Sequence, residues 1–539
     1  MRIGIDLDNT LVCYDDAFNK VARRLNMVPP IWTGGKNEVK ETLKRRPDGQ
    51  IAWQKLQGQV YGKWISLAAL YPGAYRFLWR CKQRGIEVDI VSHKTEYGHY
   101  DKEKLSLRKS AIDLLSRLNI LSEDSSCLVK AVEFFSTRKD KVDYIAGKKY
   151  DWFIDDLPEI FAMSNFPRET NKLLFKPGHR DESVEIDTVA TWLEIGERLL
   201  GHWKDREVIE LASKMSEQEI LGVYKNVGQG NSQIFQVTLS SQKKAALKIY
   251  PYTNSHNRLR SEYEGLRLIK KFGVAEVAEV LGCHEDVNAG LYEWVEGDSI
   301  TEVSLVDVYK LLSFIKDLHR IRSAPEWLSF PNASAAVFSG KQLEQQIQNR
   351  LKDLSKLASK SGPLHQYLET ELKPVVTKII EWMQALWPSA HSYDQKLLTK
   401  ERALSPSDFG FHNAIISEGG SIKFLDFEYF GWDDPAKLVG DVLLHPAMNL
   451  NSEMRQAWLD GTTEIFGMSM RNRLEVMWPG LALCWCLIML NEHKNSGWIR
   501  RKAAANLQAN SRPRVLEQQL AKSRRMLEMT STQYQKFPF

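Results

Sequence analysis

The stretch Met1-Arg2-Ile3-Gly4-Ile5-Asp6-Leu7-Asp8-Asn9-Thr10-Leu11 decides how the chain is read. Ile3 to Ile5 predict a buried strand, and Asp6 opens the loop at its C-terminal end. In open α/β sheets, that end of the strands is where ligands and chemistry collect. Asp6 and Asp8 stand two positions apart, with Thr10 two further on, so both carboxylates can face one pocket. One carboxylate can attack phosphorus while bound to a cation, and the other can hand a proton to the leaving oxygen. The bland alternative is an Asp-rich surface loop, and the order of strands and polar residues along the next 150 positions argues against it.

Working outward, Asp15 to Leu25 carries helical apolar spacing at Phe18, Val21, Ala22 and Leu25, and Pro29-Pro30 and Gly34-Gly35 break it. Gln50 to Leu70 predicts a second helix, with Trp53, Leu56, Val60 and Trp64 on one pattern. Pro72-Gly73 marks a turn, and a helix over 74–84 ends at Gly85, a suitable residue just past a helix end. Ile86 to Val91 predicts a buried strand with Ser92 at its end, where a hydroxyl can donate to a phosphoryl oxygen. His93 and Lys94 follow, either as phosphate contacts or as plain polar loop residues. Ala131 to Phe135 reads as a strand, with Lys139 and Lys141 after it and Lys141 opening a short helix. Tyr150 to Ile154 is a strand ending in Asp155-Asp156; Lys172 to Phe175 is a last strand, and Thr188 to Leu199 an amphipathic helix.

This succession resembles the four motifs of the haloacid dehalogenase superfamily of phosphotransferases. The resemblance implies a Rossmann-like parallel sheet over residues 1–200, with a small helical cap at about residues 14–70 that closes over substrate. It implies Asp6 as the nucleophile that becomes an aspartyl-phosphate and Asp8 as the acid and base. Ser92 would bind the phosphoryl group, and Lys141, with Lys139 as the spare, would offset its charge. Mg²⁺ would be held by the Asp6 side chain, the Asp8 backbone carbonyl, and Asp155 or Asp156. The activity implied is hydrolysis of a small-molecule phosphate ester.

The 539 residues leave room for more than one domain, and 43% are hydrophobic, ample for packed cores. A net charge of +5 points to neither nucleic acid nor an anionic membrane. The six Cys have no metal-ligand spacing and suit a reducing compartment, so a cytoplasmic location is expected. No signal peptide is read at the N-terminus, and the apolar run Leu481 to Leu490 is about half a membrane span, so no membrane insertion is expected.

The second half reads differently. Ile220 to Asn226 and Ile234 to Leu239 predict strands around a turn containing Gly228 and Gly230. Ala245 to Tyr250 is a third strand carrying Lys248, and Glu262 lies on a helix over 256–271. Gly290 to Trp294 suits an edge strand and hinge. Further on, Asp408 precedes Asn413 by five residues, and a strand over 421–424 leads into Asp426. A strand Lys with a helix Glu, an Asp with an Asn five later, and an Asp after the next strand form the phosphoryl-transfer set of kinase folds.

The set resembles the aminoglycoside phosphotransferase and choline kinase-like family, over most of residues 220–450. It implies a protein-kinase-like α+β bilobal domain over 205–539, with an N-lobe at about 218–297 and a helical C-lobe at about 298–539. ATP or GTP would be the donor, cradled by Gly228, Gly230, Lys248 and Glu262. Asp408 would orient or deprotonate the hydroxyl of a small-molecule acceptor, and Asn413 and Asp426 would hold Mg²⁺. Two departures stand out. Pro406-Ser407 occupy the place where the family usually has His-Gly, and the glycine loop is short of glycines.

Trp382, Trp387, Trp432, Trp478 and Trp485 are either acceptor-facing or packing residues; Asp433, Asp434 and Asp441 either steady the metal loop or meet a cationic acceptor. The basic runs at 500–502 and 522–525 read as solvated helix faces. Together the halves predict a bifunctional enzyme acting on sugar, polyol or amino-alcohol phosphates and hydroxyls, as in envelope or capsule precursor synthesis. Three alternatives stay open: a phosphatase regulated by a nucleotide-binding module, a polynucleotide end-processing enzyme, and an antibiotic-inactivating kinase. The second lacks a Gly-x-x-x-x-Gly-Lys-Ser/Thr loop and a basic surface signal.

Overall fold

Ile3 and Ile5 are fully buried on β1 (Arg2–Ile5), which lies inside a six-stranded sheet. In this computed structural model the sheet also contains β2 (Glu87–His93), β3 (Ala131–Phe135), β4 (Trp152–Asp155), β5 (Asn171–Phe175) and β6 (Thr188–Val189), in the order β3-β2-β1-β4-β5-β6. Every pairing is parallel. Gly4 lets β1 approach β4: a Cβ there would stand 2.5 Å from the Phe153 ring. The order of strands reverses about β1, so the loops after β1, β2 and β4 open at one edge of the sheet.

The structure describes residues 1–101, 103–122, 126–177, 186–226, 232–252, 256–358, 362–388, 392–494, 497–498 and 511–539. It divides into two units, Met1–Leu211 and Ala212–Phe539, the division falling within a helix, Asp205–Ser216.

Three helices, α1 (Asp15–Arg24), α2 (Lys36–Lys44) and α3 (Gly49–Tyr61), pack together between β1 and β2, with Phe18 stacked on Trp53 at 5.0 Å. The helix expected over 50–70 ends at Tyr61, because Gly62 caps it; Ala69–Leu70 instead pairs with Val12–Cys13 as a short antiparallel ribbon. The glycines before α2 hid that short, polar helix. The helix expected over 188–199 is also corrected. Thr188 and Val189, both β-branched, extend the sheet as β6, and Thr191 caps the helix Trp192–Leu199 by accepting from the Glu194 N–H.

In the second unit, β7 (Ile220–Asn226), β8 (Gln233–Leu239), β9 (Lys244–Ile249), β10 (Val280–His284) and β11 (Ala289–Glu293) form an antiparallel sheet ordered β10-β11-β9-β8-β7. The stretch expected as an edge strand, β11, is flanked on both sides; β10, with its mid-strand Gly282, takes the edge. A helix, Arg258–Lys271, packs on this sheet and starts at an Asn257 cap.

The rest is mainly helical. Phe314, Phe409, Phe424 and Phe427 form a ring cluster, with Phe314 4.7 Å from Phe424 and Phe409 5.1 Å from Phe424. This cluster anchors the two loops that carry Asp408 and Asp426 beside one another. One helix among the described residues, Met468–His493, is long and apolar enough to cross a membrane, and 67% of its most apolar stretch is buried inside the protein.

Candidate active sites

In the first unit the loop after β1 presents Asp6, buried, with its N–H bonded to the Ile154 carbonyl at 2.9 Å. Lys141, on the helix Arg138–Lys148, is 1% exposed and reaches Asp6 Oδ1 at 2.6 Å and Asp155 Oδ2 at 2.7 Å. Asp6, Asp155 and Asp156 bring one carboxylate oxygen each within 4.8 Å of the others. Thr10 Oγ1 donates to Asp156 Oδ1 at 3.4 Å. Asp8 is held at both oxygens: Tyr14 OH donates to Oδ1 and Lys94 Nζ to Oδ2, each at 2.7 Å. Ser92 lies inside β2 rather than past its end, two positions beyond the partner of Ile5. Its hydroxyl is buried and has no partner among the described residues. Lys139 shows no contact with this cluster among the described residues; Lys141 occupies the cationic position.

The electrostatics follow from crowding four carboxylates, two of them buried and two partly buried, in one loop cluster. Burial pushes the Asp6 carboxyl well above the ordinary carboxylate range; Lys141 opposes this, and Asp155, Asp156 and Asp8 add to it. Burial and Asp155 raise Asp156 to about 6. Burial also works against the Lys141 ammonium, but Asp155 and Asp6 outweigh it and hold the group charged. Lys36 Nζ reaches from α2 to Asn9 Oδ1 at 2.8 Å, beside the rings of Phe18 and Tyr61. Burial lowers its pKa, offset in part by Asp156 and Asp8. Asn9 itself sits at φ +65°, which shapes the turn that carries Asp8.

In the second unit Lys248 is the hub. Its ammonium bonds Glu262 Oε2 at 2.6 Å and Asp426, and lies 3.6 Å from Glu428 Oε2. Glu428 in turn accepts from Arg258 at 2.5 Å and from Ser232 Oγ at 2.7 Å. Burial disfavours the Lys248 charge, yet Asp426, Glu262 and Glu428 raise its pKa well above the usual value. Burial, opposed by Lys248, raises Glu262 to about 7, and burial raises Asp426 as well. Asn413 Nδ2 donates to the Asp408 carbonyl at 2.9 Å, and the Leu425 N–H donates to the Asn413 carbonyl at 2.8 Å. The loops bearing Asp408 and Asp426 are thereby tied together. Ser407 and Asp426 both occupy the left-handed region, at φ +70° and +65°.

Gly228 and Gly230 lie outside the described residues, as does the basic run at 500–502. Asp433 and Asp434 are fully buried and cannot meet an acceptor. Asp433 pairs with Lys437 at 3.1 Å, and Asp434 pairs with Arg473 and caps the helix Pro435–Leu444. Trp478 is fully buried and Trp432 nearly so, which makes both packing residues. Tyr14, Lys36, Arg258 and Glu428 are site residues that sequence reasoning passed over. Glu428 had a signal: Asp426-Phe427-Glu428 repeats the spacing of Asp6-Leu7-Asp8.

Residues 223–470, within the second unit, match the family model described as the phosphotransferase enzyme family. The match takes in Lys248, Glu262, Asp408, Asn413, Asp426 and Glu428. No curated protein matches the chain. Among solved structures, choline kinase LicA from Streptococcus pneumoniae aligns at 15% identity and a TM-score of 0.41, over 60% of this chain and 99% of that one. Spectinomycin phosphotransferase APH(9)-Ia, in complex with ADP and spectinomycin, aligns at 12% identity and 0.43, over 61% and 98%. The gentamicin complex of APH(2")-IIa aligns at 16% and 0.42, over 63% and 100%.

Proposed function

We propose that the chain is a bifunctional Mg²⁺-dependent enzyme: a haloacid dehalogenase-type phosphate-ester hydrolase in residues 1–211 and an ATP- or GTP-dependent small-molecule hydroxyl kinase in the second unit. The observation that carries the first half is the convergence of Asp6, Lys141 and Asp155, from three separate segments, at 2.6 and 2.7 Å. Asp6 attacks phosphorus; the bond from phosphorus to the leaving oxygen breaks, and Asp8 gives that oxygen a proton. Asp8 then takes a proton from water, whose oxygen attacks the aspartyl-phosphate, releasing phosphate and restoring Asp6. The orphaned Ser92 hydroxyl, aligned with the same sheet edge, would donate to a phosphoryl oxygen. Lys94 and Tyr14 hold Asp8 in place for both proton transfers.

The donor set fits Mg²⁺. Three carboxylate oxygens within 4.8 Å repel one another, and Lys141 alone offsets them incompletely. Asp6 with Asp155 or Asp156 would hold the ion, which supplies charge neutralisation at the phosphoryl group. In the second unit, Asp426 and the Asn413 amide oxygen would do the same, while Lys248, fixed by Glu262, meets the nucleotide phosphates. Asp408 orients the acceptor hydroxyl and receives its proton as the γ-phosphoryl breaks from the β-phosphate oxygen, which leaves in the nucleoside diphosphate, and bonds to the acceptor oxygen.

The test uses the full chain and its Asp6→Asn and Asp408→Ala variants. Phosphate release from sugar, polyol and nucleotide phosphates is measured beside ATP and GTP consumption with sugars, amino alcohols and aminoglycosides. Each variant is expected to lose one activity by roughly 10² to 10⁴ and keep the other. Phosphate release unaffected in Asp6→Asn would refute the first assignment. Nucleotide binding without consumption on any acceptor would replace the kinase with a regulatory module.

A further inference from the structure

We infer that His412 and His445 position Asp408 for phosphoryl transfer, His445 serving as the fixed wall that holds His412 in place. The inference rests on the proposed reading of Asp408 as the acceptor-facing carboxylate. His412 Nε2 lies 3.1 Å from Asp408 Oδ1, and His445 Nε2 lies 3.7 Å from the same oxygen. The two imidazoles are stacked, with centroids 3.9 Å apart and planes within 3°. Two contacts fix His445. The Ala447 N–H donates to its Nδ1 at 3.2 Å, and Trp485 packs edge-on against its ring at 4.9 Å. A ring nitrogen that accepts carries no proton, so the neutral ring has its proton on Nε2, the nitrogen facing Asp408.

Trp485 is itself held, its Nε1–H donating to Asp441 Oδ1 at 3.1 Å, and Lys437 binds Asp441 at 2.7 Å and the buried Asp433 at 3.1 Å. A run of contacts therefore leads from the helix Pro435–Leu444 to one oxygen of Asp408. With Oδ1 engaged, Oδ2 is left to address the acceptor hydroxyl from a fixed direction. Pro406 and Ser407 precede Asp408, so the orienting imidazoles come from later in the chain.

A shared metal ion is the competing use of these side chains, whose ligand atoms lie within 4.8 Å of one another. The stacking decides against it. An imidazole nitrogen binds a metal along its lone pair, in the ring plane, and one ion cannot lie in two parallel planes at once.

The test uses the full chain in Mg²⁺ buffer, with ATP consumption by water as the reaction and ¹⁵N-histidine NMR as the second readout. His445 is expected to appear as the neutral ring protonated on Nε2. His412→Leu and His445→Leu should each lower kcat about 10²-fold, with KM for ATP within about twofold of wild type. His445→Gln, which keeps an N–H donor, should recover most of that loss, as a merely structural role would not require. An Nδ1-protonated His445, unchanged kcat in both Leu variants, or no recovery by Gln would overturn the inference. So would stoichiometric Zn²⁺ binding that shifts both rings without loosening the stack. Wild-type turnover that Asp408→Asn abolishes but the histidine variants leave intact would overturn this inference alone. Wild type that consumes no ATP, with water or with any sugar, amino alcohol or aminoglycoside acceptor, would overturn the kinase reading with it.

Discussion

Replacing Lys141 with Met keeps most of the side-chain stem and removes one charge. That charge sits 2.6 Å from Asp6 and 2.7 Å from Asp155, both buried, so Lys141→Met strands two carboxylates at once. Removing one partner of a buried ion pair costs roughly 3–5 kcal/mol. For a unit of about 200 residues, at roughly 2–4 °C per kcal/mol, the transition should fall by about 6–20 °C. The loss has a pH signature. Burial already holds Asp6 well above the ordinary range against the pull of Lys141, and without Lys141 its pKa goes higher. An acid whose folded pKa is raised destabilises the fold as pH rises through its unfolded value, near 4. The deficit of the variant should thus grow as pH rises through the wild-type folded value and shrink toward pH 4. Calorimetry of wild type and variant in chelating buffer at a series of pH values reads both effects. Added Mg²⁺ should raise the variant more than wild type, since the ion replaces the missing charge. A deficit that stays constant with pH, or a transition that does not move, would refute the reasoning.

Glu207 makes the opposite pH prediction. It is 1% exposed and accepts from Arg80 at 2.8 Å and Arg84 at 2.7 Å; burial pushes its pKa up, but these two hold it below the ordinary value. Its contribution is present above the unfolded pKa and lost as pH falls through the folded one, so Glu207→Gln should cost about 3 kcal/mol near neutrality and progressively less in acid, read as transition temperatures. Tyr14→Phe removes one of the two holds on Asp8. On the proposed hydrolase reading it should slow alkyl phosphate hydrolysis about tenfold and nitrophenyl phosphate hydrolysis less, because the nitrophenolate leaves without a proton while its aspartyl-phosphate still needs Asp8 to activate water. Gly4→Ala puts a carbon 2.5 Å from Phe153 and should lower stability by about 1–3 kcal/mol in the same calorimetric assay.

The sequence was most legible where local pattern and spacing carry the information. The buried strands around Asp6, Ser92 and Asp155 stand within two residues of their expected bounds, because apolar runs between turn residues have few other uses. Lys248 and Glu262 meet as a strand residue and a helix residue fourteen positions apart. Contacts set by tertiary packing were not legible. Nothing local distinguishes Lys36 from a solvated lysine, and only the packing of α1, α2 and α3 brings it to the Asp8 turn, whereas Lys94, already a candidate contact, is brought to Asp8 by the pairing of β2 with β1. Arg258 and His445 likewise gain their roles from neighbours distant in the chain, Glu428 and Asp408. The edge strand was misplaced for a related reason, since Val280–His284 mixes apolar residues with Gly282 and His284 and does not announce itself as a strand.

Asp6 and Lys141 are 135 residues apart in the chain. During synthesis at about 5–20 residues per second, Asp6 is made roughly 7–30 s before its partner. Until then the acids that will crowd the loop after β1 are close in the fold but not in time, and those already made are solvated by water and screened by dissolved cations. The parallel sheet cannot close readily over Asp6 before Lys141 arrives, because β4 on one side of β1 is also made later than Lys141. The site thus doubles as a checkpoint on assembly: a nascent chain stopped short of Asp155 should keep β1 exposed and open to proteases, while one stopped beyond β5 should be able to protect it.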